Sequence, residues 1–93
     1  MLNKLLTRLN ELKTSEKCKY YTDDNHSNYQ IQKWTLPVTI KEQTKDITFV
    51  SESDKGVNFN LMVEQIAPDG VPVWVTFDEE AASIILEGIK ELK

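Results

Sequence analysis

The chain has 93 residues, 40% of them apolar and 28% charged, and a formal net charge of −4, all of which are typical of a folded globular domain and not of a disordered chain. Cys18 is the only cysteine, which excludes an internal disulfide, and no apolar run is long enough for a membrane span. Without a recognisable secretion signal, the expectation is one cytoplasmic domain, residues 1–93.

The charges are unevenly distributed between the two halves of the chain. Residues 1–45 contain eight Lys or Arg and five Asp or Glu. Residues 46–93 contain three Lys or Arg and ten Asp or Glu. A small acidic domain with one strongly negative half is more often a binding surface than an enzyme. The many lysines, asparagines and isoleucines are typical of AT-rich coding sequence, which suggests a low-GC bacterium or one of its phages or plasmids as the source.

The first predicted element is an amphipathic helix over residues 2–14. Its apolar stripe recurs at helical spacing and consists of Leu2, Leu5, Leu6, Leu9 and Leu12. The stripe is expected to pack on a sheet; a detachable helix for a partner groove and a dimer seam are the alternatives.

Residues 17–77 are predicted to form antiparallel strands joined by turns. The apolar alternation changes phase between Ile31 and Trp34, which predicts a bulge near Lys33. Pro37 is expected at a sheet edge or bend. Residues 41–45 and 51–56 are predicted turns, the second using Gly56.

The end of the chain carries the clearest local signals. Pro68-Asp69-Gly70 predicts a tight hairpin turn into a strand that contains Trp74. Asp78 has the chemistry of a helix N-cap, and a helix over 79–92 follows, in which Gly88 is interpreted as a packing residue.

The predicted fold is therefore α+β: an antiparallel meander of four to six strands with an N-terminal and a C-terminal helix packed on the sheet. No catalytic constellation, metal site or cofactor is predicted. The chain has one cysteine, Cys18, and one histidine, His26, which cannot fill a structural zinc site, and the polar loop around His26 lacks the EF-hand spacing.

The favoured function is a non-enzymatic protein-binding module, an inhibitor or accessory protein that presents carboxylates to a basic partner. Trp74 is the predicted anchor. The predicted partner-binding residues are Asp69, Trp74, Asp78, Glu79, Glu80 and Glu87. The alternative interpretation is that these carboxylates are ordinary solvated side chains that keep a small domain soluble and cap a helix. A monomer and a homodimer both remain open.

The alternative is single-stranded nucleic-acid binding by a dimer. The strand, turn, strand and helix over residues 57–92 are similar in architecture to the end of the positive-cofactor-four family of single-strand-binding proteins, which use basic and aromatic residues on a curved sheet. That segment here carries almost no Lys or Arg. The candidate face therefore lies earlier, and its residues are Lys17, Lys19, Tyr20, Tyr21, Lys33 and Trp34.

Overall fold

Two helices and five strands make up the computed structural model, which describes residues 2–23, 29–54 and 59–92, without the side chains of Tyr29, Asp54 and Phe59. The elements are α1 (Leu2–Leu12), β1 (Lys19–Asp23), β2 (Tyr29–Ile40), β3 (Gln43–Asp54), β4 (Phe59–Ile66), β5 (Pro72–Thr76) and α2 (Glu79–Gly88). The strands form one antiparallel sheet in chain order. The predicted α+β meander with two terminal helices is confirmed.

Both helices pack against the same face of the sheet, which we call the covered face. The leucine stripe of α1 is buried there at Leu5, Leu9 and Leu12, as the packing interpretation predicted. The sheet and α2 contribute the rest of the buried apolar cluster: Trp34, Leu36, Val38, Phe49, Leu61, Ala82, Ile85 and Ile89. Burial of this cluster is the main favourable term in folding.

Strand β2 is continuous, and the predicted bulge near Lys33 is wrong. Each residue from Tyr29 to Ile40 has one partner on β3, and Lys33 also pairs with Tyr21 on β1. The apolar pattern changes phase because both faces of β2 carry apolar side chains, Trp34 on the covered face and half-buried Ile31 on the other.

Two residues form the turn between β2 and β3, fewer than the predicted 41–45. Ile40 pairs with Gln43, and both intervening residues have positive φ, 51° at Lys41 and 65° at Glu42. Such a turn matches the twist of the strands but favours Asn-Gly. Residues 51–54 of the predicted Ser51–Gly56 turn belong to β3 instead, and the rest of that prediction, including Gly56, lies outside the described residues.

The hairpin predicted at Pro68-Asp69-Gly70 is confirmed. The Gly70 amide donates to the Ala67 carbonyl at 2.8 Å, and the Ala67 amide donates to the Val71 carbonyl at 3.0 Å. Gly70 has a φ of 87°, where a side chain would be strained. This turn fixes the register of β4 and β5, which places Glu64 opposite Trp74.

The predicted N-cap of α2 is also confirmed. The Asp78 carboxylate accepts a hydrogen bond from the Ala81 amide at 2.9 Å. The helix ends at Gly88, earlier than the predicted residue 92, and turns continue to Leu92. A Cβ atom at Gly88 would lie 2.5 Å from the Thr39 carbonyl oxygen and 2.9 Å from Val38. Gly88 thus permits the close approach of α2 to β2.

Replacing Gly88 with alanine should destabilise the fold. The gain in helix propensity is about 1 kcal/mol, but overpacking against rigid backbone costs about 1–3 kcal/mol. Urea denaturation of Gly88→Ala should therefore show a lower free energy of unfolding, by about 1 kcal/mol. The matched control, Ser83→Ala at an exposed position of the same helix, should be neutral or stabilising; a stabilised Gly88→Ala would contradict the close contact.

Replacing the strained turn should stabilise the fold. Left-handed conformation costs an ordinary residue about 1–2 kcal/mol, so Lys41→Asn with Glu42→Gly should raise the free energy of unfolding by about 1–2 kcal/mol. The control, Lys41→Arg with Glu42→Gln, keeps two side chains with the same backbone strain and should leave stability unchanged. Equal urea midpoints for both double variants would show that the turn is unstrained.

Candidate protein-binding surface

The second face of the sheet is covered by no helix within the described part of the chain. Strand alternation and register place Tyr21, Lys33, Val50, Glu64 and Trp74 on this side, opposite the helices. We call it the uncovered face. Tyr21 is 55% exposed here, while Val50 is fully buried.

Three side chains from three strands meet on the uncovered face. One oxygen of the Glu64 carboxylate accepts a hydrogen bond from the Trp74 indole N–H at 3.1 Å and lies 3.4 Å from the Lys33 ammonium. The same ammonium lies 5.5 Å from the centre of the Trp74 ring, a distance that suits a cation–π contact. We call these residues the Lys33 cluster.

The Lys33 side chain reaches Glu64 across the strand that carries Val50. Lys33 lies on β2 and pairs with Val50 on β3, whereas Glu64 lies on β4. The lysine side chain must therefore cross β3 at the level of Val50 to reach the carboxylate. Its methylene groups can cover the valine while the charged end meets its partners, which is common for long basic side chains.

Carboxylates outnumber lysines on the uncovered face. The charged side chains described there are Lys19, Lys33, Asp23, Asp46, Glu52 and Glu64. Glu64 is paired with Lys33, and Asp46 is exposed near the beginning of β3. Two positive groups against four negative ones give this face a negative potential.

The predicted acidic residues lie in separate parts of the molecule. Asp69 is in the β4–β5 turn, and Trp74 is on the uncovered face. Helix α2 lies on the covered face. Asp78 is its N-cap, Glu79 and Glu80 are in its first turn, and Glu87 is in its last turn. Asp69 and Asp78 thus stand beyond opposite ends of β5. The structure does not bring Trp74 together with the carboxylates of α2.

Three of these carboxylates have partners within the molecule. Asp78 caps α2, and the Glu79 carboxylate accepts from the Leu2 amide at 3.3 Å, which joins the beginnings of the two helices. Glu87 forms an ion pair with Lys90. Glu80 lies exposed in the first turn of α2, where the helix dipole favours negative charge.

The predicted nucleic-acid face is divided by the sheet. Trp34 is 0% exposed, and its ring centre lies 5.7 Å from that of half-buried Tyr20, both on the covered face. Trp34 has no exposed surface on which a base could stack, so its place in that face is wrong, and Tyr20 lies on the opposite side of the sheet from Lys33. Lys19, Tyr21 and Lys33 do share the uncovered face, and Lys17 precedes β1.

Sequence reasoning missed Glu64 as the partner of Trp74. The signal was present, because the turn at Pro68–Gly70 sets the hairpin register and places residues 64 and 74 opposite each other. The contribution of Lys33 depends on pairing between distant strands, which no local pattern determines.

No feature of the described residues favours catalysis. Burial raises the pKa of the Cys18 thiol, which a backbone hydrogen bond at Thr35 only partly offsets, so the reactive thiolate is less populated than in an ordinary cysteine. Among the described side chains, no three His, Cys, Asp or Glu residues are placed to hold a metal ion. Two depressions on the described surface, one lined by Asn3 and Arg8 and the other by Phe77 and Asp78, are open to solvent.

Comparison with known proteins found no matching family model, no matching curated protein and no matching solved structure. None of the helices in the described ranges has both the length and the apolar character to cross a membrane. The geometry of the uncovered face is therefore the basis for a functional argument.

The pairing of Lys33 with Glu64 should contribute measurably to stability. Both side chains are partly shielded from water, so a double-mutant cycle with Lys33→Met and Glu64→Gln should give a coupling energy of about 1 kcal/mol that falls as salt is added. The exposed pair Glu87 and Lys90 is the control, with Glu87→Gln and Lys90→Met, and its coupling should be smaller. Zero coupling for Lys33 and Glu64 would show that the cluster does not persist in solution.

Proposed function

We propose that this protein is a small, non-enzymatic protein-binding module that uses its uncovered face as the binding surface and Trp74 as the anchor. The observation that carries the proposal is the tryptophan held by Glu64 and Lys33 on a sheet face that the helices leave uncovered. Tryptophan is enriched among the residues that dominate binding energy at protein interfaces.

The contacts of Trp74 favour binding because they order its side chain before a partner arrives. The indole N–H is fixed by Glu64, and the ammonium of Lys33 lies over the ring. A side chain that is already ordered loses less conformational entropy on association, which is one of the main costs of forming an interface.

The excess of carboxylates on the uncovered face favours a partner with a basic surface. Asp46 and Glu52 lie on this face on either side of Val50 along β3, and neither is placed on the covered side. The proposal keeps the predicted acidic binding module but moves its surface from α2 to the sheet.

We further propose that the module acts in the cytoplasm, as an inhibitor or accessory protein of a phage or mobile element. A single half-buried thiol suits a reducing compartment, since it needs no disulfide partner. The AT-rich composition suits a low-GC bacterium or one of its phages or plasmids, and the binding surface would act by covering a basic region of the partner.

Nucleic-acid binding is less well supported, although Lys19, Tyr21 and Lys33 share the uncovered face. The negative charge of the face opposes a polyanion, and the Lys33 ammonium is already paired with Glu64. The experiment below distinguishes the two classes of partner.

The test is capture of partners from source cells by the tagged protein, with quantitative mass spectrometry before and after nuclease treatment. One protein should be captured in stoichiometric amount with or without nuclease. Trp74→Ala should weaken its binding by about tenfold or more, as for a central interface tryptophan. Circular dichroism should confirm that each variant is folded.

Charge reversals at Asp46 and Glu80 provide the matched control. Both residues are exposed, and Asp46→Lys and Glu80→Lys change the net charge equally, but only Asp46 lies on the uncovered face. Asp46→Lys should weaken binding several-fold, while Glu80→Lys should not. Weakening by Glu80→Lys alone would move the surface to α2, and a captured species that disappears with nuclease would favour nucleic acid.

A further inference from the structure

Strand β5 lies at the edge of the sheet, and its outer side has no strand partner among the described residues. Residues 71–77, which contain this strand, include no charged side chain. Exposed edge strands are usually protected from pairing by lysines, bulges or prolines. Pro72 at the beginning of β5 is the only such device here.

The backbone groups that face outward from β5 can be assigned from the hairpin register. Paired residues in an antiparallel ladder alternate between hydrogen-bonded and non-hydrogen-bonded pairs. The bond from Ala67 to Val71 makes that pair hydrogen-bonded, so Val73 and Val75 also bond to β4. The amides and carbonyls of Trp74 and Thr76 therefore point away from β4, toward the free side of the strand. The carbonyl of Pro72 points the same way. The missing amide of Pro72 thus falls on the free side, where a proline is tolerated.

The side chains of β5 add an apolar surface to this free edge. Val73 and Val75 project toward the covered side of the sheet, yet they remain 44% and 38% exposed, because the two helices do not extend over β5. Exposed valines beside unpaired backbone groups provide both kinds of contact that an added strand requires.

We propose that β5 pairs with β5 of a second copy of this chain, antiparallel and about a two-fold axis at Trp74. The sequence around Trp74 is self-complementary, because Val73 and Val75 flank it symmetrically and no charges would be opposed. Trp74 would exchange two backbone hydrogen bonds with Trp74 of the partner subunit. Two more would run from each Thr76 amide to the Pro72 carbonyl across the axis.

In this arrangement the exposed valines cover each other. Val73 lies opposite Val75 of the partner subunit, and the pair repeats on the other side of the axis. These are the closely spaced, non-hydrogen-bonded positions of the new ladder, where side-chain contact is strongest. The two sheets become one, and their uncovered faces join into a single surface with two tryptophans. The dimer does not depend on the proposed function.

Sedimentation equilibrium over a dilution series tests the dimer. The wild type should have twice the chain mass, and Val73→Lys or Val75→Glu alone should raise the dissociation constant about tenfold or more, because a charge loses its water against valine. An equimolar mixture of these two variants should regain the dimer, since the introduced lysine of one chain would then face the introduced glutamate of the other across the axis. Tyr21→Lys, at an exposed position on β1, is the control and should remain dimeric.

Amide hydrogen exchange on the wild type gives a second readout that needs no substitution. The Trp74 and Thr76 amides should be protected at high concentration and exchange faster on dilution, while the Val73 and Val75 amides stay protected throughout. A monomer at every concentration, or a failure of the mixed variants to regain the dimer, would overturn the proposal. Loss of the dimer in Tyr21→Lys to the same extent would also overturn this pairing.

Discussion

The packing of two short helices on one face of a five-stranded sheet determines most of the properties of this molecule. Helices α1 and α2 have eleven and ten residues, and they bury their apolar sides over β2 and its neighbours. The close contact of Gly88 with the backbone at Thr39 holds α2 against the sheet. Because both helices lie on one face and do not extend over β5, the opposite face and the valines of β5 are left without a helix among the described residues.

The uncovered face has no helix above it among the described residues, and its own side chains contact one another instead. Lys33 crosses β3 and meets Glu64 and Trp74, and Val50, its partner on β3, is fully buried. The polar groups of this cluster find their hydrogen-bond and ion-pair partners without a helix above them. Their contacts keep a tryptophan ordered at the surface. The same constraint therefore underlies both proposals: the helices leave one face available for a protein partner and one edge available for a second copy of the chain.

Local signals in the sequence were sufficient for the elements that local physics determines. The leucine stripe, the turn at Gly70 and the cap at Asp78 each depend on residues close in the chain, and each was predicted correctly. The orientation of Trp34 was not, because the two faces of β2 both carry apolar residues, so periodicity alone suggested a bulge. Lys33 and Glu64 come together through three strands, and only the non-local register places them in contact.

Hydroxyl-radical footprinting of the wild-type protein, read residue by residue by mass spectrometry, tests most directly the claim that the sheet has one covered and one uncovered face. The account predicts that Tyr21 and Trp74 are oxidised in the folded protein, whereas Trp34 and Phe49 are oxidised only after denaturation. Oxidation of Trp34 as readily as Trp74 in the folded state would contradict it, since the two tryptophans lie on opposite faces of the sheet.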